Sequence, residues 1–306
     1  MNSLLLSSPA KLNLYLDVLR RRPDGYHELE TVFERISLAD TLYVRRTRSG
    51  HRIRVTCSDP AVPGDRRNLA YQAADLLRRT YGVKDGLSIA IRKKIPVGAG
   101  LGGGSSNAAA TLLACNELFG LKLSPATLIA HANEIGSDAA FFVSGLKWAL
   151  GRGRGGDLTP LKGCGRLKYW HILVVPNVQV LTKGVYAALR RRRKGGRSRR
   201  GRGATFGLTK KGGGVNMVLP YLREKDIPSL DRALYNRLTQ VVLNSNTFVS
   251  EVYNSLHACN IGRVHMSGSG PSLFVLMKDH RRAQRVFYAV RRQFRDRCRV
   301  FLASTG

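Results

Sequence analysis

The sequence predicts an α+β fold in two lobes, and three observations carry that reading. Segments that alternate with period 2 are interleaved with segments of helical spacing. The 306 residues suffice for one large domain or two ordinary ones. Around residues 150–165 the composition turns to Gly, Arg and Lys. The expected lobes are therefore 1–155 and 156–306, the second carrying a basic, glycine-rich insert at 190–214.

Along the chain, Pro9 to Val18 alternates, with Leu12, Leu14, Leu16 and Val18 on one side and Lys11, Asn13, Tyr15 and Asp17 on the other. That is the pattern of a half-buried strand. Pro23-Asp24-Gly25 is a turn signal, and Phe33 to Leu42 reads as one or two returning strands. Asn68 to Tyr81 has helical spacing and ends at Gly82, and Leu87, Ile89 and Ile91 alternate again. A helix rich in small residues is predicted over Ser105 to Leu118. Another opens at Ser124-Pro125, with Ser as N-cap, and ends at Gly136. His171 to Val175 is a predicted strand, and helical patterns resume over Leu230 to Leu243 and Thr247 to Cys259. A strand-loop-strand over Val264 to Met277 is broken by SGSGPS, and a helix with a cationic face spans Arg281 to Arg295.

Lys and Arg number 51 against 20 for Asp and Glu, a formal charge of +31, which predicts anionic company: nucleic acid, phosphorylated small molecules or acidic surfaces. No acidic residue occurs from Leu158 to Arg223, and repulsion with few apolar anchors predicts a mobile loop over Arg190 to Gly214. The five scattered cysteines include no Cys-x-x-Cys pair, which argues against a disulfide framework or a structural zinc site. With no apolar run near the roughly 20 residues a bilayer span needs and no basic leader, the expectation is a soluble, cytoplasmic protein.

The sharpest local feature is PVGAGLGGGSS, formed by Pro96, Val97, Gly98, Ala99, Gly100, Leu101, Gly102, Gly103, Gly104, Ser105 and Ser106. Glycine lets backbone approach a ligand without an intervening Cβ. Consecutive N–H groups at a helix N-terminus make an anion site. Ser105 and Ser106 add hydroxyls that can donate or face a metal. The pattern suits a triphosphate. A flexible loop with a good helix cap is the bland alternative. Gly98, Gly100 and Gly103 formally satisfy a dinucleotide fingerprint, but a second helix follows where an acid-ended strand should. The missing Gly-Lys-Ser/Thr excludes a Walker A loop.

PVGAGLGGGSSNAA resembles the central ATP-binding motif of the GHMP kinases, the family of galactokinase, homoserine kinase and mevalonate kinase. SGSGPSLFVL at Ser267 to Leu276 is similar to that family's C-terminal glycine motif. SPAKLNLYLDV and RRPDGYHELETVF resemble the N-terminus of members that phosphorylate a cytidyl-diphosphate sugar alcohol in non-mevalonate isoprenoid synthesis. The resemblance implies a ribosomal-protein-S5-like N-terminal domain with an α+β C-terminal domain, and ATP with Mg2+ as co-substrate and ion. It implies Asp138 as catalytic base and Lys11 as its partner, with residues 96–106 around the ATP phosphates. Tyr26 would stack on cytosine, His27 would hydrogen-bond its edge, Tyr186 would close the sandwich and Asn13 would meet the sugar alcohol. The metal ligands are not assigned.

One departure is Asp138-Ala139-Ala140-Phe141-Phe142, where members commonly carry Asp-Val-Pro-Phe-Phe; the carboxylate and its aromatics remain. The basic insert is the other, and Tyr186 lies close to it. In isolation Lys11 reads as a surface lysine, Asp138 as a helix cap and His27 as a turn-flanking histidine. Two further functions compete: another small-molecule kinase of homoserine or mevalonate type, against which DGYH argues, and a basic RNA-binding protein on an S5-like fold. Non-specific nucleic-acid binding through the arginine-rich insert is expected under either reading.

Overall fold

Described residues of the computed structural model are 2–47, 50–194 and 214–306. Residues 195–213, most of the basic insert, lie outside them, and with them the expectations of a mobile loop and of nucleic-acid contact there.

Strands β1 (Ser3–Arg21) and β2 (His27–Thr47) form a long antiparallel pair about a turn where Gly25 takes φ +84°. The half-buried strand expected at Pro9 to Val18 is buried on both faces from Ala10 to Leu16. The reason is its central position. Ala10, Leu12 and Leu14 pack with Leu173 and Phe274 of the second lobe, while Lys11 and Asn13 line a cavity. Strand β2 serves two neighbours: Thr41 to Thr47 pair with β4 (Gly86–Arg92), and Thr31 to Glu34 with β5 (Trp148–Arg152). Strand β3 (Ile53–Cys57) runs parallel to β4. The stretch expected to mark the lobe division is itself a hairpin of this sheet, because β6 (Asp157–Pro160) pairs back on β5; the 155/156 division falls in its turn.

Four helices cover one side of this sheet. They are α1 (Leu69–Thr80), α2 (Gly103–Leu118), α3 (Pro125–Ile135) and α4 (Ser137–Val143). Their caps follow the sequence signals. Asn68 Oδ1 accepts from the Ala70 N–H at 2.8 Å, and Ser124 accepts from the Thr127 N–H. Small residues let α2 sit close: Ala108, Ala109, Leu112 and Ala114 are buried against Leu42, Val44 and Ile89 of the sheet.

The second lobe is built on a four-stranded sheet ordered β11-β7-β10-β9. Its elements are β7 (Trp170–Pro176), α5 (Thr182–Lys194), α6 (Val215–Glu224) and α7 (Ile227–Ala233), then β8 (Tyr235–Asn236), α8 (Thr239–Ser245) and α9 (Thr247–Ala258). Strands β9 (His265–Met266) and β10 (Leu273–Met277), helix α10 (His280–Phe294) and strand β11 (Cys298–Ser304) complete it. Two expectations change. The helix predicted over Leu230 to Leu243 is two short helices split by β8, which leaves to pair with β1 of the first sheet. The start of the basic insert, through Lys194, is helical, because α5 continues past Leu189.

A buried hydrogen-bonded pair ties the lobes together. His171 Nε2 on β7 lies 3.0 Å from Glu34 Oε1 on β2, both without solvent exposure, and Thr305 Oγ1 donates to the same oxygen at 2.6 Å. This bridge and the β1–β8 pairing hold the glycine segments of the two lobes face to face. Among the described residues no helix is long and apolar enough to cross a membrane.

Candidate active site

Between Ile95 and α2 the chain makes a turn in which Gly98, Gly100 and Gly102 all take positive φ, between +67° and +75°. At two of these positions a side chain would also be crowded, most severely at Gly100. A Cβ on Gly100 would lie 2.5 Å from the carbonyl oxygen of Ser267, and one on Gly102 would lie 3.1 Å from the Lys11 stem and from the Phe142 ring. The second glycine segment approaches equally closely: a Cβ on Gly268 would lie 2.8 Å from the Gly100 carbonyl oxygen. Ser267 locks the contact. Its hydroxyl donates to the Gly100 carbonyl and accepts from the Asn13 N–H, both at 3.2 Å. The two glycine motifs therefore pack backbone against backbone.

Helix α2 starts at Gly103, two residues before the predicted Ser105. The first α-helical bond runs from Ser106 N to Gly102 O, so the N–H groups of residues 103–105 have no intrahelical acceptor. Gly103, Gly104 and Ser105 line a cavity of about 530 Å³, giving it a wall of backbone donors at the positive end of a helix. Ser106 is different. It is buried, and its hydroxyl accepts from Ser8 Oγ at 2.8 Å, so it faces the interior rather than a ligand.

That interior contact belongs to a polar network which sequence reading missed. Asp40, fully buried, accepts from the N–H groups of Lys94 and Ile95 at 2.7 and 2.9 Å and from Asn107 Nδ2 at 3.0 Å. It also pairs with Lys93. The carboxylate thus anchors the segment leading into the glycine turn to helix α2. No local spacing signals this, because Asp40 lies mid-strand and its partners come from two distant segments, Lys93 to Ile95 and Asn107 of α2.

Lys11 and Asp138 stand beside the turn, with the Lys11 N–H donating to the Leu101 carbonyl at 3.0 Å. Lys11 Nζ lies 3.5 Å from Asp138 Oδ2, hydrogen-bonds to Asn13 Oδ1 and sits 5.5 Å from the centre of the Phe33 ring. Asn13 donates in turn to Thr31 Oγ1 at 2.8 Å, which donates to the Tyr15 carbonyl at 2.7 Å. Asp138 occupies the first turn of α4, whose Phe141 stacks on Phe33 with ring centres 4.9 Å apart. Ala140, in place of the usual proline, is fully buried inside this helix.

The aromatic residues divide. Tyr186, from α5, lines the cavity and stacks on His27, with ring centres 5.2 Å apart and 26° between planes. Burial and the neighbouring Asp138 push its phenol up to about 12. Tyr26 lies outside the cavity wall, half exposed, with the Arg154 guanidinium 3.7 Å over its ring. Further wall residues carry no sequence signal of their own: Ala61, Val62, Pro63 and Leu69 give one end an apolar lining, beside Arg67.

The described residues contain no group of three or more His, Cys, Asp or Glu side chains arranged to hold a metal ion. The cavity wall does present the Asp138 carboxylate and Ser105. That donor set suits Mg2+ carried in on phosphates, since Mg2+ in such sites takes one or two protein ligands and keeps phosphate and water oxygens.

Comparison with known proteins agrees with this architecture. The GHMP kinases N-terminal domain matches residues 68–146, and the GHMP kinases C-terminal domain matches 218–296. The 4-diphosphocytidyl-2-C-methyl-D-erythritol kinase of Bacillus subtilis is 39% identical over 94% of this chain and 93% of its own. The protein of that name from Geobacter metallireducens is 39% identical over 93% of this chain and 92% of its own. A crystal structure of 4-(cytidine 5'-diphospho)-2C-methyl-D-erythritol kinase superposes with a TM-score of 0.76 at 34% identity, covering 99% of both chains. The fold, both glycine motifs and these full-length likenesses place the chain in the GHMP kinase family, as an ATP-dependent small-molecule kinase.

Proposed function

We propose that the chain transfers the γ-phosphoryl group of ATP to the 2-hydroxyl of 4-diphosphocytidyl-2-C-methyl-D-erythritol, a step in non-mevalonate isoprenoid precursor synthesis. The observation that carries the chemistry is the Lys11–Asp138 pair, 3.5 Å apart, lining one cavity with a helix N-terminus of free backbone donors. The likeness to full-length 4-diphosphocytidyl-2-C-methyl-D-erythritol kinases supports the choice of substrate.

Phosphoryl transfer asks a protein chiefly for positioning and charge stabilisation. In this reading the turn at residues 96–106 holds the ATP phosphates through backbone N–H groups, and the apolar end at Ala61 to Pro63 receives the adenine. Asp138 takes the proton of the attacking hydroxyl. Lys11, fixed by Asn13 and Phe33, offsets negative charge developing on the transferring group. Asn13 is tied to Thr31 and Lys11, so its contact with the sugar alcohol is pre-oriented. Tyr26, His27 and Tyr186 form the cytosine end. The Tyr186–His27 rings touch each other, so a base entering between them must part them. Mg2+ would be held at Ser105 and would neutralise phosphate charge; Ser106, with its N–H bonded to Gly102 and its hydroxyl to Ser8, supports the turn from inside.

The test is ATP turnover against a panel of hydroxylated acceptors: the cytidyl-diphosphate sugar alcohol, homoserine and mevalonate. Turnover confined to the first is expected. Turnover confined to homoserine or mevalonate would replace the substrate while leaving the kinase chemistry.

A further inference from the structure

Four cations line the cavity: Lys11, Lys93, Arg67 and Arg154. Three of them have carboxylate partners. Lys11 meets Asp138 at 3.5 Å, Lys93 pairs with Asp40, and Arg67 forms a two-pronged pair with Asp65, its shortest contact 2.7 Å. Arg154 has none within ion-pair distance among the described residues, although the exposed Asp24 carboxylate interacts with it at longer range. An aromatic ring holds it instead, with the guanidinium 3.7 Å over Tyr26. A cation–π contact fixes a guanidinium without neutralising it and leaves its N–H edge free to donate. Such a group on a cavity wall suits an anionic ligand.

Its position says which anion. Arg154 sits in the turn between β5 and β6, pinned to β2 by the Leu29 N–H bonding to the Gly153 carbonyl at 2.7 Å and by the Arg152–Glu30 pair at 3.2 Å. The next residue, Gly155, approaches Ser137, the neighbour of Asp138: a Cβ there would lie 3.8 Å from the Ser137 Cβ. Tyr26, beneath Arg154, precedes His27 of the Tyr186 stack. Arg154 therefore lies on the acceptor's side of the cavity, between the aromatic end and Asp138, whereas Arg67 and Lys93 lie on the side of the glycine turn.

We infer that Arg154 is a specificity-determining residue that reads the diphosphate of the acceptor, with Tyr26 as its platform. This rests on the kinase reading above, because an acceptor without a diphosphate would give Arg154 nothing to grip. Fork-shaped donation from a guanidinium to phosphate oxygens is charge-assisted and geometrically selective. Arg154 touches substrate on this account, and Tyr26, besides its place at the cytosine end, positions the guanidinium with one ring face.

The experiment is calorimetric binding of CDP and of cytidine to the full-length protein and its variants, with wild-type turnover measured alongside. Wild type is expected to bind CDP well ahead of cytidine. Arg154→Gln should weaken CDP by roughly 10–100-fold, the range for hydrogen bonds to charged groups, and cytidine by less than about threefold. Tyr26→Leu should shrink the CDP-to-cytidine ratio, and Tyr26→Phe, which keeps the ring, should preserve it. An unchanged ratio in Arg154→Gln overturns the inference. Because Arg154 is exposed, that variant should fold normally. Failure of the kinase reading would look different, as absent wild-type turnover of the cytidyl-diphosphate acceptor.

Discussion

Lys11 and Asp138 come within 3.5 Å of each other from a central strand and from the first turn of a seven-residue helix. Both elements are packed: β1 is buried on both faces from Ala10 to Leu16, and Phe141 of α4 stacks on Phe33. Lys11→Met keeps the stem that packs on Gly102 and removes the charge. It should lower kcat by roughly 10²–10³-fold, the range for losing one charge-stabilising donor, with a much smaller change in the KM for ATP. Steady-state kinetics with each substrate varied will check this. A loss confined to KM would assign Lys11 to binding alone.

Gly100 tests the close approach of the two glycine segments. With φ at +75° and the Ser267 carbonyl 2.5 Å from where a Cβ would stand, Gly100→Ala must push backbone away from backbone. A loss of roughly 1–3 kcal/mol in stability is expected, with a raised KM for ATP, measured by denaturant unfolding and kinetics. Gly98→Ala is the matched control. It has similar φ with open space around it, so it should cost less and spare the contact.

Which parts of this arrangement were legible beforehand follows from how local each signal is. Asn68, Ser124-Pro125 and the small residues of α2 announce their helices because capping and packing act within a few residues. Tyr235-Asn236 could not be foreseen as a strand, since its pairing with Tyr15-Leu16 is purely tertiary. The β5–β6 hairpin was hidden by glycines and arginines that read as a linker. Lys11 and Asn13 stood out by alternation, and their burial follows from the second lobe closing over the strand. Ser106 read as a ligand group by its place beside glycines; only the contact with Ser8 turns it inward.

Tyr186 lines the cavity, and His27 stacks on it with ring centres 5.2 Å apart. Tyr186→Ala and His27→Ala should raise the KM for the cytidyl substrate by roughly 5–150-fold, the range of base–aromatic stacking, and leave the KM for ATP within about threefold. Equal effects on both substrates would contradict a base-binding role.

Burial pushes the phenols of Tyr15, Tyr169 and Tyr186 up to about 12 from an ordinary value of 10. The folded protein thus holds these protons more tightly than the unfolded chain does. Stability from these groups is complete below pH 10 and is lost as the pH rises towards 12. Denaturant unfolding across that window should show a decline, and Tyr186→Phe should make it shallower. Phenolate absorbance of the folded protein should lag behind that of the unfolded chain.

The most direct measurement is single-turnover phosphoryl transfer by Asp138→Asn with both substrates saturating. Transfer slowed by roughly 10²–10⁴-fold, the usual contribution of a general base, with both dissociation constants within a few-fold of wild type, is the predicted result. Near-normal transfer by the folded variant would remove Asp138 as the proton acceptor and contradict the account.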